Sequence, residues 1–177
     1  MLFVATLYEI NGRRCLMIKQ ANEQDKSIIE DILLDAVSFL NKSCIPNQWN
    51  ETNIKWDNLA KDYEIDDFYI AYDNEIPAGC MALTDYDEKY WPEIKKGQSF
   101  YLHKLAIKRK FAGKGFSKEL IDFAKELTRE KGVHSLRLDV NYYRDKLRAI
   151  YEKEGFRFVR AKIVGQNKKM ALYEYSL

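Results

Sequence analysis

The chain has 177 residues, of which 46% are hydrophobic and 32% charged, with a formal net charge of +2. That length suits one domain with a full-sized core, and that apolar share excludes a disordered chain. A charge so close to neutral excludes a general nucleic-acid-coating protein, so any anion site must be local.

Three cysteines, Cys15, Cys44 and Cys80, are odd in number and widely spaced. They suggest neither a disulfide framework nor a zinc site, and a reducing, cytoplasmic compartment is expected. The start "MLFVATLYEI" is apolar but carries no basic leader and reaches Glu9 quickly, which makes it a poor signal peptide. No apolar run approaches the ~20 residues that a membrane-spanning helix needs, so no membrane partner is expected.

In chain order, Asn11-Gly12 lies between two apolar runs and suits a type I′ turn, so a hairpin of 2–10 and 13–20 is expected. Met17 also reads as a natural start. Residues 1–16 are therefore set apart as an extension forming a strand, and 17–177 as the domain proper. Ile29, Ile32, Leu33, Ala36, Val37 and Leu40 form one helical stripe over 23–41, with Asn22 and Asp25 as a capping pair. Pro46 should break that helix, and a weaker second helix is expected over about 52–63.

"DFYIAY" and "IPAGCMAL" flank Asp73-Asn74-Glu75 as a second hairpin. A polar loop follows, then the strand "SFYLHKLAI". A helix over 116–131 is stopped by Gly132. "SLRLDV" is a strand, 144–154 a short helix ended by Gly155, and two strands close the chain. The order predicts a single mixed α/β (α+β) domain.

One junction stands out. In "LAIKRKFAGKGFSKEL" a strand runs through a basic turn into a helix. Gly113 and Gly115 allow unusual backbone angles and close ligand approach, and the helix start presents unpaired N–H groups. Lys108, Arg109, Lys110, Lys114 and Lys118 surround it with positive charge. Taken alone, the turn reads equally as an anion site or as a solvated basic loop. The dinucleotide fingerprint fails because Lys118 stands where a third glycine belongs, and the P-loop fails on spacing.

The segments "YLHKLAI", "FAGKGFSKEL", "LRLDV" and "LRAIYEKEGF", in that order, resemble the GCN5-related N-acetyltransferase family. The resemblance is clear over about 100–159 and looser over 17–83. It implies a mixed, mostly antiparallel sheet flanked by helices, with acetyl-CoA as co-substrate and no metal. By resemblance, the backbone of Gly113, Lys114, Gly115, Phe116 and Ser117 holds the pyrophosphate. Leu105, Ala106 and Ile107 pair with the pantetheine arm, and the Leu105 N–H supports the acetyl oxygen. Ala112 departs from the usual Arg or Gln. Asn141 and Arg144 fall where the family often places an asparagine on the coenzyme.

Acetyl transfer to an amine requires a base for the ammonium and an acid for the departing thiolate. The stretch "HKLAI" looks like the histidine-bearing strand of serotonin N-acetyltransferase, which makes His103 the candidate base; it also fits a packed sheet. Tyr151 matches the family tyrosine that protonates the thiolate; it also fits a helix aromatic packed on the sheet. His134 reads as a loop residue.

Trp49, Trp56, Tyr86, Tyr90 and Trp91 are candidates to line the acceptor pocket. Asp85, Asp87, Glu88 and Glu93 make the loop before the coenzyme strand acidic, which would favour a cationic amine or mark a solvated loop. The expected activity is direct acetyl transfer from acetyl-CoA to a primary amine of a small molecule. The alternatives are a protein or peptide amine acetyltransferase, a non-catalytic acyl-CoA-binding domain, and a nucleic-acid binder, the last disfavoured by charge. A homodimer is left open.

Overall fold

A computed structural model describes residues 6–9, 15–45, 48–165 and 167–177. The chain divides into two compact units, one of residues 1–82 and 104–120, the other of 83–103 and 121–177.

In the first unit, β1 (Thr6–Glu9), β2 (Cys15–Gln20), β3 (Phe68–Asp73) and the start of β4 (Ile76–Thr84) pair antiparallel in sequence order. The expected first hairpin is present as β1 and β2, while its Asn11-Gly12 turn lies outside the described residues. In the second hairpin Asn74 and Glu75 both take left-handed angles, φ +48° and +72°. That is the type I′ geometry, whose twist matches the flanking strands.

Asn22 and Asp25 form the expected capping box: the Asn22 side chain accepts from Gln24 N–H, and Asp25 accepts from Asn22 N–H at 3.0 Å. A 3-10 turn at Glu23–Asp25 then leads into α1 (Lys26–Lys42). Its buried Ile29, Ile32, Leu33, Val37 and Leu40 lie against Phe68, Ile70 and Cys80 of the sheet. The helix ends at Lys42, and Pro46 lies outside the described residues.

The second helix is much shorter than expected, α2 being only Trp56–Leu59. The Asn50 side chain accepts from the N–H groups of Thr52 and Asn53, and the Asn53 side chain accepts from Asn50 N–H. These local bonds satisfy the backbone in turns and so compete with a helix.

The second unit holds the first residues of β5 (Phe100–Ile107), up to His103, and there β5 pairs in parallel with β6 (Ser135–Asn141) at 100–102 against 136–138. Strand β6 pairs antiparallel with β8 (Lys168–Ser176), and β8 with β7 (Arg157–Val164). Helix α3 (Phe116–Glu130) ends before Gly132 at φ +68°, and α4 (Asp145–Lys153) before Gly155 at φ +87°. The loop between β4 and β5 is not merely solvated: Tyr90 and Trp91 are buried with Tyr101, Met170 and Leu172. The fold is mixed α/β, antiparallel within the units except for β5 against β6.

Candidate active site

Strand β5 contributes candidate residues to each unit, His103 to the second and Leu105, Ala106 and Ile107 to the first. Its extended run is interrupted at Lys104, which takes φ +52°. A lysine in the left-handed region inside a strand marks a bulge that re-aims the residues around it. Its ammonium lies over the rings of Trp49 and Tyr63, at 5.6 and 5.5 Å. Beyond it Leu105 and Ile107 are half-buried and Ala106 is buried.

The neighbouring β4 comes very close there. A Cβ on Gly79 would stand 2.7 Å from the Ala106 carbonyl oxygen, and the Lys108 N–H donates to the Ala78 carbonyl at 2.8 Å. A glycine is therefore the residue that lets β4 lie against this stretch.

The glycine turn follows. Gly113 and Gly115 take φ +74° and +90°, with open space where each Cβ would be. The backbone N–H groups of Gly113, Gly115 and Ser117 have no hydrogen-bond partner among the described residues. Phe111 and Phe116 pack edge to face at 5.4 Å between ring centres, both buried, and so anchor the turn on either side. Exposed N–H groups at the head of a 15-residue helix, on a backbone open to approach, fit an anionic phosphate group.

The cations divide. Lys110 and Lys114 lie over the Phe111 ring. Lys108 is ion-paired with Asp31 of α1. The Arg109 backbone N–H donates to Asp35 at 2.6 Å, and its guanidinium stacks on Phe39 at 4.2 Å. Lys108 and Arg109 thus brace the turn against α1, an assignment that no local sequence pattern reveals.

In the second unit His103 is enclosed, with 13% of its side chain exposed. Its Nε2 lies 3.8 Å from Asp87 Oδ2 and its Nδ1 lies 3.8 Å from Asp139 Oδ1. Tyr101 stacks beside it at 6.5 Å. Sequence reading placed Asp87 on an acidic rim and gave Asp139 no role. The structure buries both carboxylates, and burial pushes the Asp87 carboxyl upward, opposed by hydrogen bonding from Tyr90 N–H and by Lys89 and Lys162. The remaining acids are ordinary surface groups: Asp85 pairs with Lys96, and Glu93 with Arg160.

Tyr151 on α4 is buried, and burial raises its phenol above the ordinary range; the Asp139 charge adds to this and Arg144 opposes it. Arg144 caps α4, and burial lowers its guanidinium. Asn141 instead accepts from the Tyr143 N–H at 3.0 Å, a turn-forming role at the end of β6. Among the aromatic candidates, Trp56 packs on Phe68, Tyr90 and Trp91 are core, and Tyr86 is exposed.

Comparisons with known proteins bear on the family and the fold. The sequence profile of the acetyltransferase (GNAT) family matches residues 33–156. An uncharacterised N-acetyltransferase of Bacillus subtilis (strain 168), YesJ, is 30% identical over 129 residues, covering 63% of this chain and 69% of its own. A GNAT-family acetyltransferase of Listeria monocytogenes 4b F2365 shares the fold at a TM-score of 0.75 and 22% identity, over 97% of this chain and 100% of that one. The yncA protein of Salmonella typhimurium, solved with its cofactor acetyl-CoA, gives a TM-score of 0.68 at 15% identity, over 91% of this chain and 93% of its own. The chain belongs to the GNAT acetyltransferase family and is an acyltransferase.

Proposed function

We propose that this enzyme transfers an acetyl group from acetyl-CoA directly to a primary amine of a small molecule, both bound at once. The observation that carries the reading is the open glycine turn at the head of α3, where the N–H groups of Gly113, Gly115 and Ser117 have no hydrogen-bond partner among the described residues. Acetyl-CoA supplies the activated acyl group as a thioester. Gly113, Gly115 and Ser117 hold its pyrophosphate by their backbone N–H groups, Lys114 and Phe116 complete the turn around it, and Asn141 and Arg144 are further coenzyme contacts. Leu105, Ala106 and Ile107 lie along its pantetheine arm, and the Leu105 N–H donates to the acetyl oxygen as negative charge develops.

His103 takes the proton from the acceptor ammonium at Nε2, and two carboxylates beside it favour a cationic acceptor. Tyr151 keeps its proton across the working pH range and gives it to the departing sulfur, with Arg144 beside it to stabilise the phenolate. Direct transfer is favoured over an acetylated cysteine because Cys80 is fully buried and its thiol is pushed up to about 12, mainly by burial. The catalytic domain is 17–177, and the residues before it add strand β1 and the first two residues of β2.

Thermal unfolding with acetyl-CoA, with CoA lacking its 3′-phosphate, and with ATP tests the donor site. A hundredfold excess over Kd stabilises by about 2.7 kcal/mol, a rise of roughly 5–10 °C. A shift with acetyl-CoA and little with ATP is expected; no shift with any of the three removes the proposal. A panel of polyamines, amino acids, aminoglycosides, arylalkylamines and peptides, read by free-thiol release, then identifies the acceptor. With it, His103→Gln should lower kcat/KM by roughly 10²-fold.

A further inference from the structure

We propose that Asp87 and Asp139 are positioning residues for His103, gripping its ring from opposite nitrogens and holding a proton on it at pH values where a free imidazole has lost one. The proposal deepens the reading of His103 as the base. It rests on the placement of three enclosed groups: the side chains of Asp87, Asp139 and His103 are 7%, 8% and 13% exposed.

A neutral imidazole has one N–H and one lone pair, whereas the charged ring has two N–H groups. Here each nitrogen faces a carboxylate oxygen at 3.8 Å. With the ring neutral, one carboxylate would face a lone pair. Asp87 is the sharper case. Its Oδ1 accepts from the Tyr90 N–H at 3.0 Å, while its Oδ2, the atom facing Nε2, is buried with no hydrogen-bond partner. A protonated Nε2 supplies the charge that this oxygen otherwise lacks.

Burial opposes charge on the ring, but an anion within about 4–6 Å strengthens a group's hold on a proton roughly 10- to 1000-fold, and two are present. The other groups facing the trio do not reverse this. Tyr101 stacks on the ring and Tyr90 hydrogen-bonds Asp139, both uncharged phenols. Tyr151, also neutral, faces Asp139, with Arg144 beyond it, while Lys89 and Lys162 act on Asp87 and moderate it. The carboxylates stand at different nitrogens, which suits a clamp better than a cation held at one nitrogen.

The consequence is kinetic. Only the neutral ring can accept the acceptor's proton at Nε2, so kcat/KM should climb along the His103 titration, above neutrality. Once the proton arrives, Asp87 stabilises it.

The chain has two histidines, so NMR titration of the imidazole C–H signals resolves His103 from His134 without any acceptor. His103 is expected to titrate above the free-imidazole value of about 6.5. Asp87→Asn and Asp139→Asn should each move it downward, and the acid limb of kcat/KM should move with it. A wild-type His103 that titrates at or below about 6.5 overturns the clamp, as does a titration unmoved in both variants. Zinc chloride at stoichiometric concentration that abolishes the titration also overturns it, in favour of a cation site. A titration that moves while the rate profile stays fixed upholds the clamp and removes His103 as the base.

Discussion

Gly79→Ala should weaken the protein and its hold on acetyl-CoA together. The new methyl would lie 2.4 Å from Ile107 Cδ1 and 2.7 Å from the Ala106 carbonyl oxygen. The first contact is cheap, since the Ile107 terminus can turn away. The second is backbone, about 0.7 Å short of ordinary contact, so β4 and this part of β5 must part. Overpacking of this kind costs about 1–3 kcal/mol, while alanine restores about 0.4–1 kcal/mol by stiffening the unfolded chain. The net loss is about 1–2 kcal/mol, or a Tm lower by about 2–8 °C. On the proposed reading, which sets Ala106 along the pantetheine arm, the Kd for acetyl-CoA should rise as well. Gly97→Ala is the control. Its φ of +79° makes alanine strained, but nothing lies within 4 Å of the new atom, so stability should fall with coenzyme affinity intact. Differential scanning calorimetry and isothermal titration read both quantities. A Gly79→Ala protein with wild-type Tm and wild-type Kd would refute the close approach of the two strands.

Tyr151→Phe should slow turnover while leaving acetyl-CoA binding unchanged; lost binding with unchanged turnover at saturation would make Tyr151 a packing residue. Stability should decline as pH rises past the ordinary thiol value of 9.0, because the unfolded chain can ionise Cys80 whereas the folded chain holds it to about 12. The expected slope averages about 1 kcal/mol per pH unit between pH 9 and 10, and Cys80→Ala should flatten it in urea titrations over that range. Equal slopes for the two proteins would count against the buried thiol. Asn22→Ala removes the cap ahead of α1 and should cost about 1 kcal/mol in urea unfolding, with an unchanged midpoint as the contrary result.

What the sequence showed best was local. The Asn22–Asp25 box, the turn at Asn74-Glu75 and the stops at Gly132 and Gly155 depend on residues within four positions of one another, and all are present. The same reasoning overextended the second helix, because Asn50 and Asn53 offered the backbone bonds that helical periodicity does not register. The glycine turn was legible as a possible anion seat because its chemistry lies within five consecutive residues. The surroundings of His103 were not. Asp87 and Asp139 reach it from a loop and from β6, 16 and 36 positions away, and a carboxylate in a loop otherwise reads as solvated. The attachment of Lys108 to Asp31 spans 77 positions, so Lys108 had read only as positive charge around the turn.

That last attachment bears on selectivity. A cell offers many polyphosphates, and a loop of uncommitted lysines would attract most of them. Here Lys108 is paired with a carboxylate, and Arg109 donates its backbone N–H to another and lays its guanidinium on an aromatic ring. Recognition at the turn then falls more on directed N–H groups than on bulk positive charge. Such groups reward one spacing and orientation of phosphate oxygens. On the proposed reading, nucleotides that match acetyl-CoA in charge but not in shape should compete poorly for this enzyme.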